Sequence, residues 1–320
     1  TDKGLTLVKN ENYWNGTPHL DTIYVKTITD GDTMTMAMQS GELDAAYGLP
    51  YASLPLFENE PYTISSCETS RSFFAQMNYA TEALQDDNVR AAIASAIDKE
   101  NFTSVLLDGN GAAAVGPFPE SFTFGDTTVT AETYDPAKAK ELLKNAGWTD
   151  TDGDGYVDKN GKKLTIRWVT YPSRQELPLL AESVQATMKD IGIDVQVNST
   201  ANYQDYLDKG DWDIFAGAFV SAPTGDPEYF FTTHCLDSST KNRGGYHSDA
   251  LEALEKQMAV TFDPTERASL ATQMTQTILD DHALVFASHL KMSMVSGKGV
   301  SGLVAHPSDY YEITADLDKE

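Results

Sequence analysis

The sequence predicts an α/β fold with a mixed sheet, and three observations carry that prediction. Between Leu164 and Phe219 the apolar period switches repeatedly. A strand is expected over Leu164–Trp168, a helix over Arg174–Ile191, a strand through Ile193, Val195 and Val197, a short helix around Tyr203–Leu207, and a buried strand over Trp212–Phe219. Strand, helix, strand, helix, strand implies parallel pairing with right-handed crossovers. Upstream, the alternating Phe73–Tyr79 hands over to a helix with apolar positions at Val89, Ala92, Ile93, Ala96 and Ile97. Finally, 320 residues with 41% hydrophobic and 22% charged side chains are an ordinary globular composition, long enough for one large or two medium domains.

The charge balance narrows the partners. Forty-eight acidic against 23 basic residues give −25, which argues against nucleic acid or an anionic membrane surface. The charge supports solubility and reads either as suited to cationic or zwitterionic ligands or as a solvated acidic surface without ligand meaning. No apolar run reaches the ~18 residues of a membrane span, and the N-terminus shows no basic-then-apolar leader. Cys67 and Cys235 read either as a pair closing a long loop or as free buried thiols.

Taken in order, Thr1–Leu7 approaches a first strand, and Gly16 and Pro18 punctuate the turn before a second over Ile23–Ile28. Asp30 or Asp32 caps a helix bearing Met34, Met36 and Met38; no cysteine or histidine accompanies these thioethers, so core filling is expected rather than metal binding. Asp86, Asp87 or Asn88 caps the helix that follows Phe73–Tyr79. Asp108–Pro117 is rich in glycine but lacks GxGxxG and reads as a loop. Asp135 with Pro136 opens a helix over Ala137–Asn145. The last third is helical over Asp249–Met258 and from Asp263 to Asp280, then extended over Ala283–His289 and Lys291–Ser296.

One stretch resembles a metal loop. Asp150, Asp152, Asp154 and Asp158 occupy relative positions 1, 3, 5 and 9 of a calcium loop, with Gly155 at 6 and Tyr156 supplying a carbonyl at 7. Position 12, where a bidentate glutamate closes the shell, is Gly161. The loop is therefore either a weak structural calcium site or an acidic hairpin turn.

Several passages resemble the peptide/nickel-type (family 5) extracytoplasmic solute-binding proteins of ABC importers. They are Asn10-Glu11-Asn12-Tyr13-Trp14-Asn15-Gly16 with Pro18, Leu20-Asp21 and Ile23; Ser40-Gly41-Glu42; Asn78 with Asp87-Asn88-Val89-Arg90 and Ala96-Ile97-Asp98; Tyr134-Asp135-Pro136; Gly225-Asp226-Pro227; and Asn242 to Tyr246. The resemblance implies a type II periplasmic-binding-protein-like α/β fold, with one complete lobe over 71–288 and part of the other over 1–70 and 289–320, the family's large N-terminal portion lying outside this sequence. It further implies a monomer outside the cytoplasm, periplasmic or lipid-anchored, that captures an oligopeptide or a nickel chelate between its lobes. The ligand passes to permease subunits, and neither catalysis nor a cofactor is required.

In α/β sheets of this kind ligands sit at the carboxyl ends of strands. That rule points to Tyr171 after one strand and to Phe219 and the 220–246 loop after another; Arg71 and Phe73, at the entry of the Phe73–Leu107 passage, are separate candidates for ligand contact. Within the loop, Asp226 suits a ligand ammonium and Arg243 a carboxylate, while Tyr229 and Tyr246 suit an apolar part. His234 and His247 are the candidate nickel ligands, since some family members hold their chelate through a histidine of this lobe. The competing structural expectations are that Asp226 caps the helix after Pro227, that Arg243 pairs on the surface, that Arg90 anchors its helix, and that both histidines are hydrogen-bonded framework residues. GxSxG, HExxH and paired-cysteine zinc patterns are all missing from the sequence. The rival classes are an acid glycosidase, which needs only two placed carboxylates, and a calcium-stabilised extracellular binding module.

Overall fold

The computed structural model of the chain describes residues 4–320, so the opening Thr1–Lys3 of the first expected strand lies outside the described residues. Two compact units are formed, one by Thr1–Thr69 with Lys291–Glu320 and the other by Ser70–Leu290. In the first unit β1 (Gly4–Val8) and β2 (Thr22–Lys26) make an antiparallel ribbon. Asp30 Oδ1 accepts the Thr33 amide at 2.8 Å and starts α1 (Gly31–Gln39). Met38 joins Leu49, Leu54, Phe57 and Val295 in a small core with Met34 packed on it, whereas Met36 is exposed. The methionines are thus packing side chains. β3 (Ala45–Tyr47) adds an antiparallel strand against Met294–Ser296.

β4 (Thr63–Met77) carries the chain from the first unit into the second. The expected strand was only its latter half, because Thr63–Arg71 is rich in serine and threonine and half-exposed, and shows no apolar alternation. Asp86 then caps α2 (Asp87–Ser95) through the Asn88 amide, and Asp98 caps the short α3 (Lys99–Asn101). Within the expected loop, Gly111–Ala113 forms β5 against Ser288–Leu290. Glycine is required there, since a Cβ at Gly111 would stand 2.6 Å from Ser288 Oγ and 3.0 Å from the His289 carbonyl. α4 (Pro136–Asn145) starts at its Asp135 cap, and β6 (Asp158–Lys159) and β7 (Lys162–Lys163) form a hairpin.

The expected crossover series follows as β8 (Thr165–Thr170), α5 (Glu176–Asp190), β9 (Asp194–Ser199), α6 (Tyr203–Lys209) and β10 (Ile214–Val220). β8 runs parallel to both β9 and β10, and β10 runs antiparallel to β4. α5 buries Leu177, Leu180, Val184 and Met188, the i, i+3, i+4 stripe that covers a sheet. After α7 (Glu228–His234), α8 (Asp249–Met258) and α9 (Pro264–Asp280), the chain returns through β11 (Leu284–Ser296), buried at every position but Lys291. The two extended stretches expected here are one strand. In the second unit the sheet order is β11, β4, β10, β8, β9, a mixed α/β sheet. β12 (Val300–Ser301) and β13 (Asp318–Lys319) pair in the first unit. Among the described residues no helix is long and apolar enough to cross a membrane.

Candidate binding face of the second unit

The β4–β10 register builds the candidate site. Gln76 lies opposite Phe215, Phe74 opposite Gly217 and Ser72 opposite Phe219, so these six residues share one sheet face. Gly217 is needed between the two rings: a Cβ there would stand 2.9 Å from Phe219 Cε2 and 3.3 Å from Phe215 Cζ. Beside them, Tyr203 stacks on Phe215 at 5.4 Å and lies 4.9 Å from Tyr171, whose hydroxyl oxygen accepts the Ala218 amide at 2.9 Å. Burial pushes the Tyr171 phenol up.

The 239–246 loop is held against the strand by a backbone approach only glycine allows. Tyr79 N donates to the Gly244 carbonyl at 2.9 Å, and a Cβ on Gly244 would fall 2.0 Å from the Met77 carbonyl oxygen. This fixes Arg243 with its guanidinium 5.8 Å from the Phe215 ring centre and its amide donating to Gln76 Oε1 at 3.3 Å. Lys241 Nζ lies 5.0 Å from the Phe219 ring centre. The structure therefore brings together Tyr171, Phe219, His234 and Arg243 of the expected residues. It adds Gln76, Tyr203, Phe215 and Lys241, which sequence reasoning missed. The only sequence signal for Gln76 was a polar position inside an otherwise buried strand.

Other expected contacts are accounted for by the framework. Phe73 points to the opposite face, fully buried and 6.4 Å from Phe102, so it has no surface to offer a ligand. His234 is 2% exposed among Phe74, Phe219 and Phe230, with Nδ1 unpartnered. Burial, then the Lys241 and Arg243 charges, push its pKa down to about 3. It is a buried side chain held neutral by its surroundings. Asp226 accepts the Glu228 amide at 2.9 Å and both Nε and Nη2 of Arg267, at 3.0 and 2.7 Å, so it caps α7 and clips it to α9. The buried Tyr246 donates to Asp281 Oδ2 at 2.5 Å and packs 5.8 Å from Tyr79. Tyr229 is 39% exposed on α7, and Arg71 is half-buried opposite Val220 at the end of the ladder. His247 is exposed with Nδ1 2.9 Å from Asp237 and Nε2 3.4 Å from Asp249, and the Asp237 hydrogen bond pushes its pKa up.

Two further clusters test other chemistries. Ser72 Oγ lies 2.9 Å from His289 Nδ1, and His289 Nε2 lies 3.0 Å from Asp126 Oδ2, in the order of a nucleophile relay. Ser72 has no exposed surface, and Asp126 also accepts the Val115 and Gly116 amides at 3.0 and 2.7 Å. The chain of bonds braces β4, β11 and the 115–126 passage without access for a substrate. In the acidic loop, oxygens of Asp150, Asp152 and Asp158 lie within 4.8 Å of one another. Asp154 instead pairs with Lys163 at 2.8 Å, which also lies 4.0 Å from the Tyr156 ring centre. Asp150 accepts the Gly153 and Gly155 amides, Asp152 the Asp154 amide and Asp158 the Thr151 amide, the bonding of an acidic turn. Both cysteines are free.

The model for the middle part of the bacterial extracellular solute-binding proteins, family 5, matches residues 1–242. The oligopeptide-binding protein AppA of Bacillus subtilis is 28% identical over 320 residues, covering 97% of this chain and 58% of its own length. The nickel-binding periplasmic protein of Escherichia coli K12 is 26% identical over 299 residues, covering 90% of this chain and 57% of its own. The chain thus spans under two thirds of the length of these curated relatives. Among solved structures, NikA of Staphylococcus aureus in complex with Ni(L-His)2 superposes with a TM-score of 0.87 at 23% identity, over 99% of this chain and 66% of NikA. AppA in complex with a nonapeptide superposes at 0.86 and 24% identity, over 99% and 64%.

Proposed function

The chain belongs to the bacterial extracellular solute-binding proteins of family 5, and from that premise we propose that it captures a small solute outside the cytoplasm and delivers it to the permease of an ABC importer. The observation that carries the proposal is the family match over residues 1–242, which favours capture over glycoside hydrolysis. Ser70–Leu290 is read as the complete lobe and the first unit as part of the other, acting as a monomer. An oligopeptide is the favoured cargo, because the second unit offers an aromatic sheet face edged by Arg243, Phe219 and Tyr171. A nickel chelate is the second reading, raised by the nickel-binding relatives. Against it stand the burial of His234 and the two aspartates around His247. The acidic loop is read as a turn that needs no calcium, since Asp154 is taken by Lys163 and the other carboxylates by loop amides.

Thermal unfolding with a tri- to pentapeptide pool, and separately with nickel–histidine, tests the reading. Binding to the folded state alone stabilises by RT ln(1 + [L]/Kd), ~2.7 kcal/mol at a hundredfold excess over Kd. A rise with the peptide pool supports the oligopeptide reading. A rise with nickel–histidine alone moves the cargo to the chelate, and no rise with either contradicts solute capture.

A further inference from the structure

We propose that Glu255 is a proton-operated latch where α7, α8 and α9 meet. With its proton it lets the first turn of α7 close onto Arg267; without it, it drives that turn away from α8. The bonding of Arg267 shows why the proton is needed. A guanidinium has five N–H donors, and all five are used: by Asp226 at 3.0 and 2.7 Å, by Glu228 at 2.7 Å, and by the Met258 and Thr261 carbonyls, both at 2.8 Å. Two carboxylates, from α7 and its cap, thus already share one cation. Glu255 reaches the same cluster from α8 as a third. Its Oε2 is buried without a hydrogen-bond partner among the described residues, and Arg267 has no donor left to offer it.

The surrounding charges decide which form Glu255 takes. From α7 and its cap it faces Glu228 and Asp226, from its own helix Glu252, and from α9 Arg267. Three negative neighbours, against one cation already bonded to two of them, leave a buried carboxylate uncompensated. Burial and then Glu228 accordingly push the Glu255 pKa up to about 7. A neutral carboxyl removes the repulsion and brings an O–H donor to a cluster of acceptors. Because the folded pKa lies above the ordinary 4.5, the latch is closed in acid, weakens as pH rises from 4.5 and is open beyond about 7.

The effect is local. α8 and α9 bury Leu251, Met258, Leu270 and Met274 in one core cluster. The body of α7 is fixed by Phe230, 5.6 Å from Phe74, and by His234, 4.7 Å from Phe219. Its first turn lacks such packing, since the side chains of Asp226 and Glu228 are 44% and 33% exposed. That turn follows β10 at the sheet edge where the candidate ligand residues gather. A member of an extracellular family meets the ambient pH directly, so the latch keeps this edge ordered in acid and mobile in neutral to alkaline surroundings.

Hydrogen–deuterium exchange of the 222–232 amides at pH 5 and pH 8, corrected for the intrinsic rate, tests the latch. Their protection is expected to fall at least ~10-fold at pH 8, the factor carried by one unit of pKa shift, while α9 keeps its own. Glu255→Gln, with a neutral carboxamide, is expected to hold the acid protection at both pH values. Glu228→Gln removes the main repelling charge and is expected to lower the pH at which protection is lost, a second readout that needs no change at Glu255. Equal protection at both pH values, a loss that persists in Glu255→Gln, a midpoint unmoved in Glu228→Gln, or an equal loss across α9 overturns the latch. No cargo enters the measurement, so each of these outcomes leaves solute capture standing.

Discussion

Removing the Arg90 guanidinium should unfold the second unit at markedly lower denaturant. The side chain is 7% exposed. Its Nε and Nη2 donate to the Asp281 carbonyl at 3.1 and 3.0 Å, Nη1 to the carbonyls of Leu84 and Gln85 at 2.9 and 3.2 Å, and Nη2 to Asp87 Oδ1 at 2.9 Å. The guanidinium also covers the Tyr79 ring at 4.9 Å. Arg90→Met keeps the apolar stem but strands three carbonyl oxygens. At a net ~0.5–1.5 kcal/mol per bond, discounted for the exposed Asp87 partner, the expected loss is about 3–5 kcal/mol. Arg90→Lys keeps the charge but presents a compact ammonium in place of the fork, so it should lose most of the same stability. Urea unfolding followed by the fluorescence of Trp168 and Trp212, both buried in this unit, reads the change. A loss under ~1 kcal/mol for Arg90→Met, or a wild-type curve for Arg90→Lys, would show that these bonds do not hold α2 to the end of α9.

Three further outcomes follow from the geometry. Asp226→Asn should cost about 1–3 kcal/mol through the weakened Arg267 clip while leaving peptide affinity unchanged, and a selective loss of affinity at wild-type stability would return Asp226 to the ligand. Glu255 has its pKa pushed up to about 7 by burial and then by Glu228. The folded state therefore holds its proton above the ordinary value of 4.5, and this contribution to stability falls as pH rises from 4.5 to about 7. Glu255→Gln should raise the unfolding temperature above that of wild type at pH 8 and match it at pH 4; the same difference at both pH values would contradict the assignment. Millimolar calcium should leave the unfolding temperature unchanged, whereas a calcium-dependent rise abolished by Asp150→Asn would make the acidic loop an ion site.

What the sequence made legible was chemistry between near neighbours. The caps at Asp30, Asp86, Asp135 and Asp263 and the alternation of β8, α5, β9, α6 and β10 depend on spacings of a few residues, and each is visible as a pattern. Tyr171, Phe219 and Arg243 could be nominated because strand ends and the loops after them gather at one edge. Partners set by tertiary packing left no local trace. Asp226 meets Arg267 41 residues on, and Tyr246 meets Asp281 after 35. Both looked available for a ligand until those partners were placed. Lys241 escaped notice for the opposite reason, because in sequence it is one more surface cation, and only the fold places it 5.0 Å from the Phe219 ring centre with no ion pair among the described residues. Register decided Phe73 and Gln76: three positions apart on one strand, they face opposite ways, so the nominated Phe73 lies against Phe102 while the overlooked Gln76 shares a sheet face with Phe215.

The central claim, capture of a small solute, is tested most directly by native mass spectrometry of the chain incubated with a tripeptide pool and with nickel–histidine. The account predicts a one-to-one adduct with free-acid peptides that is lost on acid denaturation and weakened in Arg243→Gln. An unadorned chain under every condition would contradict it.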